Sequence, residues 1–321
     1  MVPLFSEHLT PLDDILFEDL TYLITTDKDK DAEPLYRSIA EVGLLCPPIL
    51  LPLAGGACRI VTGFRRLAAV RGLNMAAVPC RLLAPATSDL TCLKIAISDN
   101  TRQRALNSGE QARAVDKLFL MMDGAALFAR VAAELGLPST PAAVDKLRAI
   151  HALPAAVFDS VADGRLAFST ALSLTRMDTP TATALARLFI DLKLGVNRQR
   201  EALTLIEEIA AAEDLTCLNI LTESSVQEIA AAVEADRGWR CEQLFAYLHG
   251  RRFPHISRAE ASFAAAVKSL RPGPSARLSH PPDFEGRDYT LTLTFKNRKE
   301  LEGHMAFLQR IVASDLIDKK P

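Results

Sequence analysis

The chain lacks any apolar run long enough to span a membrane, although 49% of its 321 residues are hydrophobic. Its apolar stretches, such as residues 47–53, are short and broken by proline, whereas a membrane-spanning helix needs about 20 consecutive apolar residues. The N-terminus carries neither a basic flank nor the apolar core of a secretory signal. We therefore expect a soluble, cytoplasmic protein with no membrane partner.

Spacings typical of metal ligands and disulfide frameworks are also missing. The six cysteines show no CxxC spacing, and most of them lie inside apolar runs, which is typical of reduced, buried thiols. The six histidines show no ligand spacing, and no cluster of carboxylates is visible. These absences indicate neither zinc nor a disulfide framework, and they leave a nuclease or phosphotransferase of this fold open but without support. The only tryptophan, Trp239, is expected in the core.

The sequence has no large excess of charge of either sign, because its formal net charge is -2. A generic nucleic-acid binder is usually basic, so the overall balance is a poor match to that class. Positive charge is nevertheless concentrated in two stretches, 59–104 and 237–277. Each contains eight Lys or Arg residues against two acidic ones, which makes local anion binding plausible.

The most informative pattern is a pair of arginine-bearing segments, residues 62–69 and 98–104. The first follows a strand-like run and contains Gly63, which lets the backbone approach a ligand closely. The helix start behind it offers unpaired N–H groups, and Arg65 and Arg66 add fixed positive charge. This combination indicates a phosphate-binding turn between a strand and a helix.

The second segment supplies Arg102 and Arg104 together with Asp99 and Asn100. Asp and Asn are side-chain types that would hold a metal ion on a polyphosphate. They are also favoured N-caps of helices, a role that needs no metal, and the two roles can coexist. The two segments together suggest a nucleotide site.

The N-terminal third has the pattern of a small α/β unit. Residues 1–34 look irregular, with a solvated turn at 27–31, and Gly43 stands at the expected end of the first helix. The proline of the last strand is expected at a sheet edge or at the strand start. The predicted elements, in order, are a helix at 35–42, strands at 49–51 and 59–61 joined by Gly55 and Gly56, a helix at 65–71 and a strand at 78–83.

From about residue 90 to 214 the periodicity is helical, and residues 127–150 have the spacing of a helix-turn-helix with Gly136 in the turn. Its second helix carries apolar residues where base contacts are expected, and Asp145 would repel phosphate. Helical packing without base readout is therefore as good an explanation as DNA recognition. The side chains that could contact DNA are Ser139, Thr140, Lys146 and Arg148.

The C-terminal third begins with helices and then changes to a strand-and-helix pattern. Residues 289–295 alternate strictly between polar and apolar, and an amphipathic helix is predicted over 298–312. We predict an α+β multidomain protein with a small α/β domain at 1–97, an all-helical domain with a helix-turn-helix at 98–214, and a C-terminal helical and ββα-like region at 215–321.

Three segments, in the correct order, resemble motifs of the ParB partition proteins. Residues 43–47 resemble the family's G-x-x-Q-P element with Cys46 in the glutamine position, and residues 63–69 resemble G-E-R-R-x-x-A with Phe64 in the glutamate position. Residues 99–112 resemble E-N-x-x-R-x-x-L-x-x-x-E-x-A. The resemblance covers about residues 35–210, and the C-terminal part looks like a divergent ββα dimerisation domain on architecture alone.

The resemblance implies a ParB/sulfiredoxin-like N-terminal fold that binds CTP with Mg²⁺. By position in the motifs, Asp99 and Asn100 would hold the metal ion. The reactive cysteine of sulfiredoxin is excluded, because Phe64 stands in its place. The residues implied for the nucleotide are Gly43, Gly63, Arg65, Arg66, Asn100, Arg102, Arg104 and Glu110.

The family role implied is chromosome or plasmid partition or nucleoid organisation, by a nucleoid-associated homodimer that closes as a clamp on DNA and works with a ParA-type ATPase. Phe64 removes a carboxylate from the site, so at most slow CTP hydrolysis is expected. Two alternatives stay open. One is a ParB-fold transcriptional regulator without nucleotide turnover, and the other is an interaction scaffold that binds neither DNA nor nucleotide.

Overall fold

The computed structural model describes residues 5–25, 32–281, 284, 288–314 and 316–317. The chain divides into two compact units, Met1–Arg200 and Glu201–Pro321. The finer division into three domains stays a prediction, and the turn expected at 27–31 lies outside the described residues.

The N-terminal unit begins with a five-stranded sheet in the order β1-β5-β3-β4-β2. The outer strand β1 pairs antiparallel with β5, and β3 pairs antiparallel with β4 but parallel with β5. The strands are β1 Phe5–Pro11, β2 Ile15–Leu16, β3 Ile49–Pro52, β4 Cys58–Thr62 and β5 Ala77–Leu83, and the two helices of this part are α1 Ala32–Val42 and α2 Phe64–Gly72.

Two expectations for this sheet were wrong. The stretch 1–34 is not wholly irregular, because β1 and β2 form the two edges of the sheet. Only Thr10 of β1 is buried, so this strand is held by backbone pairing and has no apolar alternation to reveal it. Pro79 is neither on an edge strand nor at a strand start, because β5 lies between β1 and β3. It pairs with Leu9 of β1, whereas β5 pairs with β3 through Arg81 and Leu82.

Apolar side chains of the sheet and of α1 and α2 form one core. Leu50, Ile60, Leu67, Val70 and Val78 are almost completely buried in it. Burial on this scale is the main stabilising contribution that such a small α/β unit has. The core fixes the turn between β4 and α2 against the loop that precedes β3.

The run of helices predicted from residue 90 is confirmed. Of these helices, α3 packs on β4, and α4 packs against α6 and α7. Gly136 lies between α5 and α6 with φ of 72°, as the turn requires. The helices are α3 Asp89–Gln103, α4 Ser108–Leu120, α5 Ala125–Glu134, α6 Pro141–His151, α7 Ala155–Ala162, α8 Phe168–Leu174, α9 Thr179–Asp191 and α10 Val196–Glu213.

The start of α4 is held by a closed set of hydrogen bonds. Asn107 accepts from the N–H of Glu110, and the Glu110 carboxylate accepts from the N–H of Asn107. The same carboxylate is buried and takes two hydrogen bonds of 2.6 Å from the guanidinium of Arg104. A capping box and a bidentate ion pair therefore share one buried side chain.

Two cations of α4 attach this helix to the segment that precedes α1. The Lys117 ammonium donates to the carbonyls of Leu20 and Thr21, and Arg113 donates to the carbonyl of Thr25 at 2.8 Å. Burial lowers the pKa of Lys117 to about 8. The helical part of the N-terminal unit is thus tied to the α/β part by charge-assisted bonds to backbone oxygens.

The second unit contains helices and a two-stranded hairpin. Its last helix was predicted as one element but is divided at His304, where the buried imidazole follows Gly303. Trp239 is 48% exposed, so its expected place in the core was wrong. The elements are α11 Cys217–Thr222, α12 Ser224–Ala231, α13 Arg237–Arg252, α14 Pro254–Ser269, β6 Ala276–Ser279, β7 Thr290–Leu293, α15 Arg298–Gly303 and α16 Met305–Val312.

The strand predicted at 289–295 is present as β7 and pairs antiparallel with β6, the second strand of the expected ββα pattern, for which no range was predicted. A small core of Phe263, Leu278, Phe307 and Ile311 joins α14, the hairpin and α16. Within the described part of the chain, none of the helices has both the length and the apolar character needed to cross a membrane.

Replacing Glu110 by alanine should destabilise the N-terminal unit by about 2–4 kcal/mol, because a cap is lost together with the charge-assisted hydrogen bonds from the half-exposed Arg104. Urea unfolding followed by circular dichroism measures this. Glu134→Ala is the matched control, since its carboxylate is exposed and pairs with Arg130 one turn away. The control should change stability by less than about 0.5 kcal/mol. Equal effects of the two variants would contradict a structural role for Glu110.

Candidate nucleotide site

The three motif segments meet at one side chain, Arg66. Its Nη1 donates to the carbonyl oxygen of Cys46 at 2.5 Å, and its Nη2 lies 3.6 Å from Oδ2 of Asp99. Only 20% of the Arg66 side chain is exposed. Residues that are 20 and 33 positions apart in the sequence are therefore joined by a single guanidinium.

The turn between β4 and α2 lies directly on the loop before β3. Gly63 has φ of 89°, and a Cβ atom at this position would lie 2.9 Å from Cβ of Pro48 and 3.3 Å from Nη2 of Arg66. Both the backbone conformation and the close approach require glycine. As the N-cap of α2, Gly63 offers no side-chain acceptor to the first N–H groups of the helix, which is the arrangement of an anion-binding helix start.

Phe64 and Arg65 follow the turn and face different surroundings. Phe64 is half-buried and packs on the apolar core of the α/β part, whereas Arg65 is exposed. The position that is glutamate in the resembled motif is thus occupied by a side chain that contributes to packing and brings no carboxylate to the site.

Asp99 and Asn100 lie near the end of α3, so the alternative that they cap the start of a helix was wrong. Asn107 caps the next helix instead. Asn100 donates from Nδ2 to the carbonyl of Ala96 at 2.8 Å. Its amide oxygen is therefore the atom of this side chain that could contact a cation. Asp99 lies beside Arg66 and also accepts from Gln103.

Arg104 and Glu110 are bound to each other at the start of α4, and the hydrogen bond to Glu110 raises the pKa of Arg104. Arg102 is exposed in the last turn of α3. The structure thus brings together Gly63, Arg66, Asp99 and the 46–48 loop. Gly43 ends α1 with φ of 78°, three residues before Cys46.

The donor set agrees with a magnesium ion that is held mainly by a phosphate ligand. No cluster of three or more His, Cys, Asp or Glu residues occurs in the described ranges, so a cage made only of protein is not offered there. Mg²⁺ is usually held by one or two protein oxygens plus substrate phosphates. Asp99 and Asn100 provide oxygens of this kind.

Residues 12–101 match the family model of the ParB N-terminal domain. This part of the chain is a ParB N-terminal domain. The matched range contains Gly43, Gly63, Arg66 and Asp99, the residues of the convergent site and of the turn that leads to it. The match is to this part of the chain, and no curated protein matches the chain.

Solved structures that resemble the chain include two of C-terminally truncated chromosome-partitioning ParB from Caulobacter crescentus. The complex with CTP-gamma-S is 25% identical, covers 58% of this chain and 99% of its own, and has a TM-score of 0.28. The complex with the centromeric parS site is 23% identical, with coverages of 60% and 96% and a TM-score of 0.34. A Pnob8-like ParB-N domain is 15% identical, with coverages of 76% and 99% and a TM-score of 0.37.

The residues that were predicted to contact DNA differ in exposure. Thr140 and Lys146 are exposed, and Ser139 is half-buried. Arg148 lies 3.9 Å above the ring of Phe119 and donates to Asp116 at 3.1 Å, so it contributes to packing between α6 and α4. The same aspartate lies 3.2 Å from Nδ1 of His151, whose pKa is lowered by burial. Sequence spacing alone could not reveal this cluster, because its partners lie on separate helices.

Gly63→Ala should destabilise the N-terminal unit by at least about 1 kcal/mol more than Gly56→Ala. Both glycines have φ near 90°, but a Cβ at Gly56 would meet nothing within 4 Å, whereas one at Gly63 would collide with Pro48. Urea unfolding of the two variants isolates the cost of the collision from that of the backbone conformation. Equal losses of stability would show that the turn at Gly63 is not in close contact with the loop at Pro48.

Proposed function

We propose that this ParB-like protein binds CTP with Mg²⁺ at the turn between β4 and α2 and acts on DNA in chromosome or plasmid partition or in nucleoid organisation. The observation that carries the proposal is the convergence of the three motif segments on Arg66 within a ParB N-terminal domain. The choice of CTP comes from the family resemblance, and CTP-gamma-S is the ligand of one Caulobacter crescentus ParB complex.

In the proposed complex the triphosphate lies at the N-terminus of α2. Gly63 allows the phosphates to approach the backbone, and the first N–H groups of the helix donate to them. Arg66 is held in place by the Cys46 carbonyl and needs little reorganisation to add a charge-assisted bond. Arg65 and Arg102, which are exposed, provide further cationic contacts, and Gly43 sets the direction of the loop that carries Cys46.

Asp99 acts as the counter-ion of Arg66 when no ligand is bound. At 3.6 Å the pair is longer than a hydrogen bond, so a phosphate oxygen is a stronger partner for the guanidinium. Arg66 would exchange Asp99 for a phosphate oxygen while keeping its bond to the Cys46 carbonyl, and Asp99 and the amide oxygen of Asn100 would hold Mg²⁺. Arg104 and Glu110 remain paired and support the start of α4, and they join the site only if that pair opens.

Phe64 favours binding over turnover. General-base activation of water needs a group that can accept a proton, and a phenyl ring packed on the core cannot do so. The same observation favours the second candidate, a ParB-fold transcriptional regulator that responds to a nucleotide without hydrolysing it. Both candidates share the nucleotide site and differ in whether CTP is consumed.

DNA would be contacted through the exposed start and outer face of α6, with Thr140 and Lys146 as the main contacts and Ser139 beside them. Arg148 would act by holding α6 on α4 through Phe119 and Asp116. We further propose a homodimer formed through the C-terminal unit and a ParA-type ATPase as the partition partner.

Arg66→Ala should weaken CTP–Mg²⁺ binding by about tenfold or more, because a charge-assisted bond to phosphate is lost. Isothermal titration calorimetry of the full chain measures this. Arg71→Ala is the matched control: it removes the same charge from the last turn of α2, where Arg71 lies over the ring of Phe17. Absence of CTP binding by the unsubstituted protein, or equal losses in the two variants, would contradict the nucleotide site.

Lys146→Ala should reduce the dependence of DNA affinity on salt by about one unit in the slope of log K against log [salt], since one phosphate contact is removed. Lys193→Ala is the control, because it removes an exposed lysine from the turn between α9 and α10. Fluorescence anisotropy with a labelled duplex at several salt concentrations gives the slopes. An unchanged slope for Lys146→Ala would remove α6 from the DNA interface.

A further inference from the structure

The C-terminal unit contains a second concave site, at the end of the β6–β7 hairpin. A cavity of about 460 Å³ lies between the end of α14, the hairpin and the two last helices. Part of its lining, including Arg271, belongs to the basic stretch 237–277, which the proposed nucleotide site does not use. Its lining includes Arg271, Ser275, Lys296, His304, Phe307 and Arg310.

Positive charge dominates this lining. Arg271, Lys296 and Arg310 are all exposed at the surface of the cavity. Glu300 also lines it, but its carboxylate accepts from the N–H of Lys296 at 2.6 Å, beside the start of α15. This carboxylate is therefore engaged with the backbone, and three cations face the cavity.

His304 supplies a buried polar group in the wall. The residue is only 8% exposed, and its Nε2 lies 3.5 Å from Oγ of Ser275 and 3.4 Å from the carbonyl oxygen of Thr294. Both distances are long for hydrogen bonds, and buried polar atoms normally have better partners. A ligand atom in the cavity would complete the hydrogen bonding of the imidazole and of the Ser275 hydroxyl.

The Arg310 guanidinium is positioned before any ligand arrives. Arg310 donates from Nε to the carbonyl of Leu270 at 2.8 Å and from Nη2 to the carbonyl of Arg271 at 3.3 Å. Arg271 follows the end of α14 with φ of 49°, the left-handed conformation in which helices commonly end.

We propose that this cavity binds a small anion that carries phosphate. Guanidinium, ammonium, hydroxyl and imidazole groups around one cavity are the donors that recognise phosphate oxygens. The buried imidazole lies in the wall of the cavity, where a small ligand reaches it more readily than the backbone of a long duplex. Phe307 closes the apolar side of the same wall. This site is independent of the one proposed in the N-terminal unit.

The test uses pyrophosphate as the probe and the full chain with Arg66→Ala, which disables the N-terminal site. Isothermal titration calorimetry should show saturable binding that Lys296→Gln or His304→Gln weakens by about tenfold, the loss expected for one charge-assisted bond. The matched control is Arg298→Gln, which removes one charge two residues from Lys296, from a side chain that is 91% exposed and pairs with Glu302. It should weaken binding by less than about twofold.

A lack of pyrophosphate binding in the Arg66→Ala background would overturn the proposal. Equal losses with Lys296→Gln and Arg298→Gln would also overturn it, because the effect would then come from general surface charge. The same three variants, tested for retention of a duplex of unrelated sequence, separate a small-anion site from a nucleic-acid surface. Dependence of duplex retention on Lys296, without pyrophosphate binding, would contradict a small-anion site. Thermal unfolding of each variant confirms that the unit remains folded.

Discussion

The hydrogen bond from Arg66 to the carbonyl of Cys46 is the contact on which the N-terminal site depends. It joins the first turn of α2 to the loop before β3, and Gly63 makes this possible because no side chain separates the turn from Pro48. The sheet and its core hold both segments at this distance. A guanidinium fixed in this way already lies where a phosphate group would be bound, so little conformational entropy is lost on binding.

A series of contacts also links the site to the helices that follow it. Asp99 belongs to α3, and the next turn of chain leads directly to the Arg104–Glu110 pair that starts α4. Lys117 and Arg113 then bind the carbonyls of the segment before α1. Arg148 of α6 in turn contacts Phe119 and Asp116 of α4. This chain of packed contacts offers a physical route by which a ligand at α2 influences the proposed DNA-contacting helix.

Patterns with strong local signals were predictable from the sequence. The turn at Gly63, the strands of the core and the run of helices depend on glycine, on apolar alternation and on helical periodicity, all of which are local. Strand β1 was missed because it is mostly exposed and held by backbone pairing. The roles of Asp99 and Arg148 depend on partners 33 and 32 residues away, and Trp239 is exposed although it is large and apolar. Such features are set by tertiary contacts, which no local pattern encodes.

The proposed nucleotide site can be tested most directly by a crystal structure of the full chain with CTP and Mg²⁺. The triphosphate should lie at the N-terminus of α2, in contact with the backbone of Gly63 and with the guanidinium of Arg66. Asp99 should have left Arg66 for the metal ion, and the hydrogen bond from Arg66 to the Cys46 carbonyl should be retained. A nucleotide bound elsewhere, or a triphosphate that leaves the Arg66–Asp99 pair intact, would contradict the proposal.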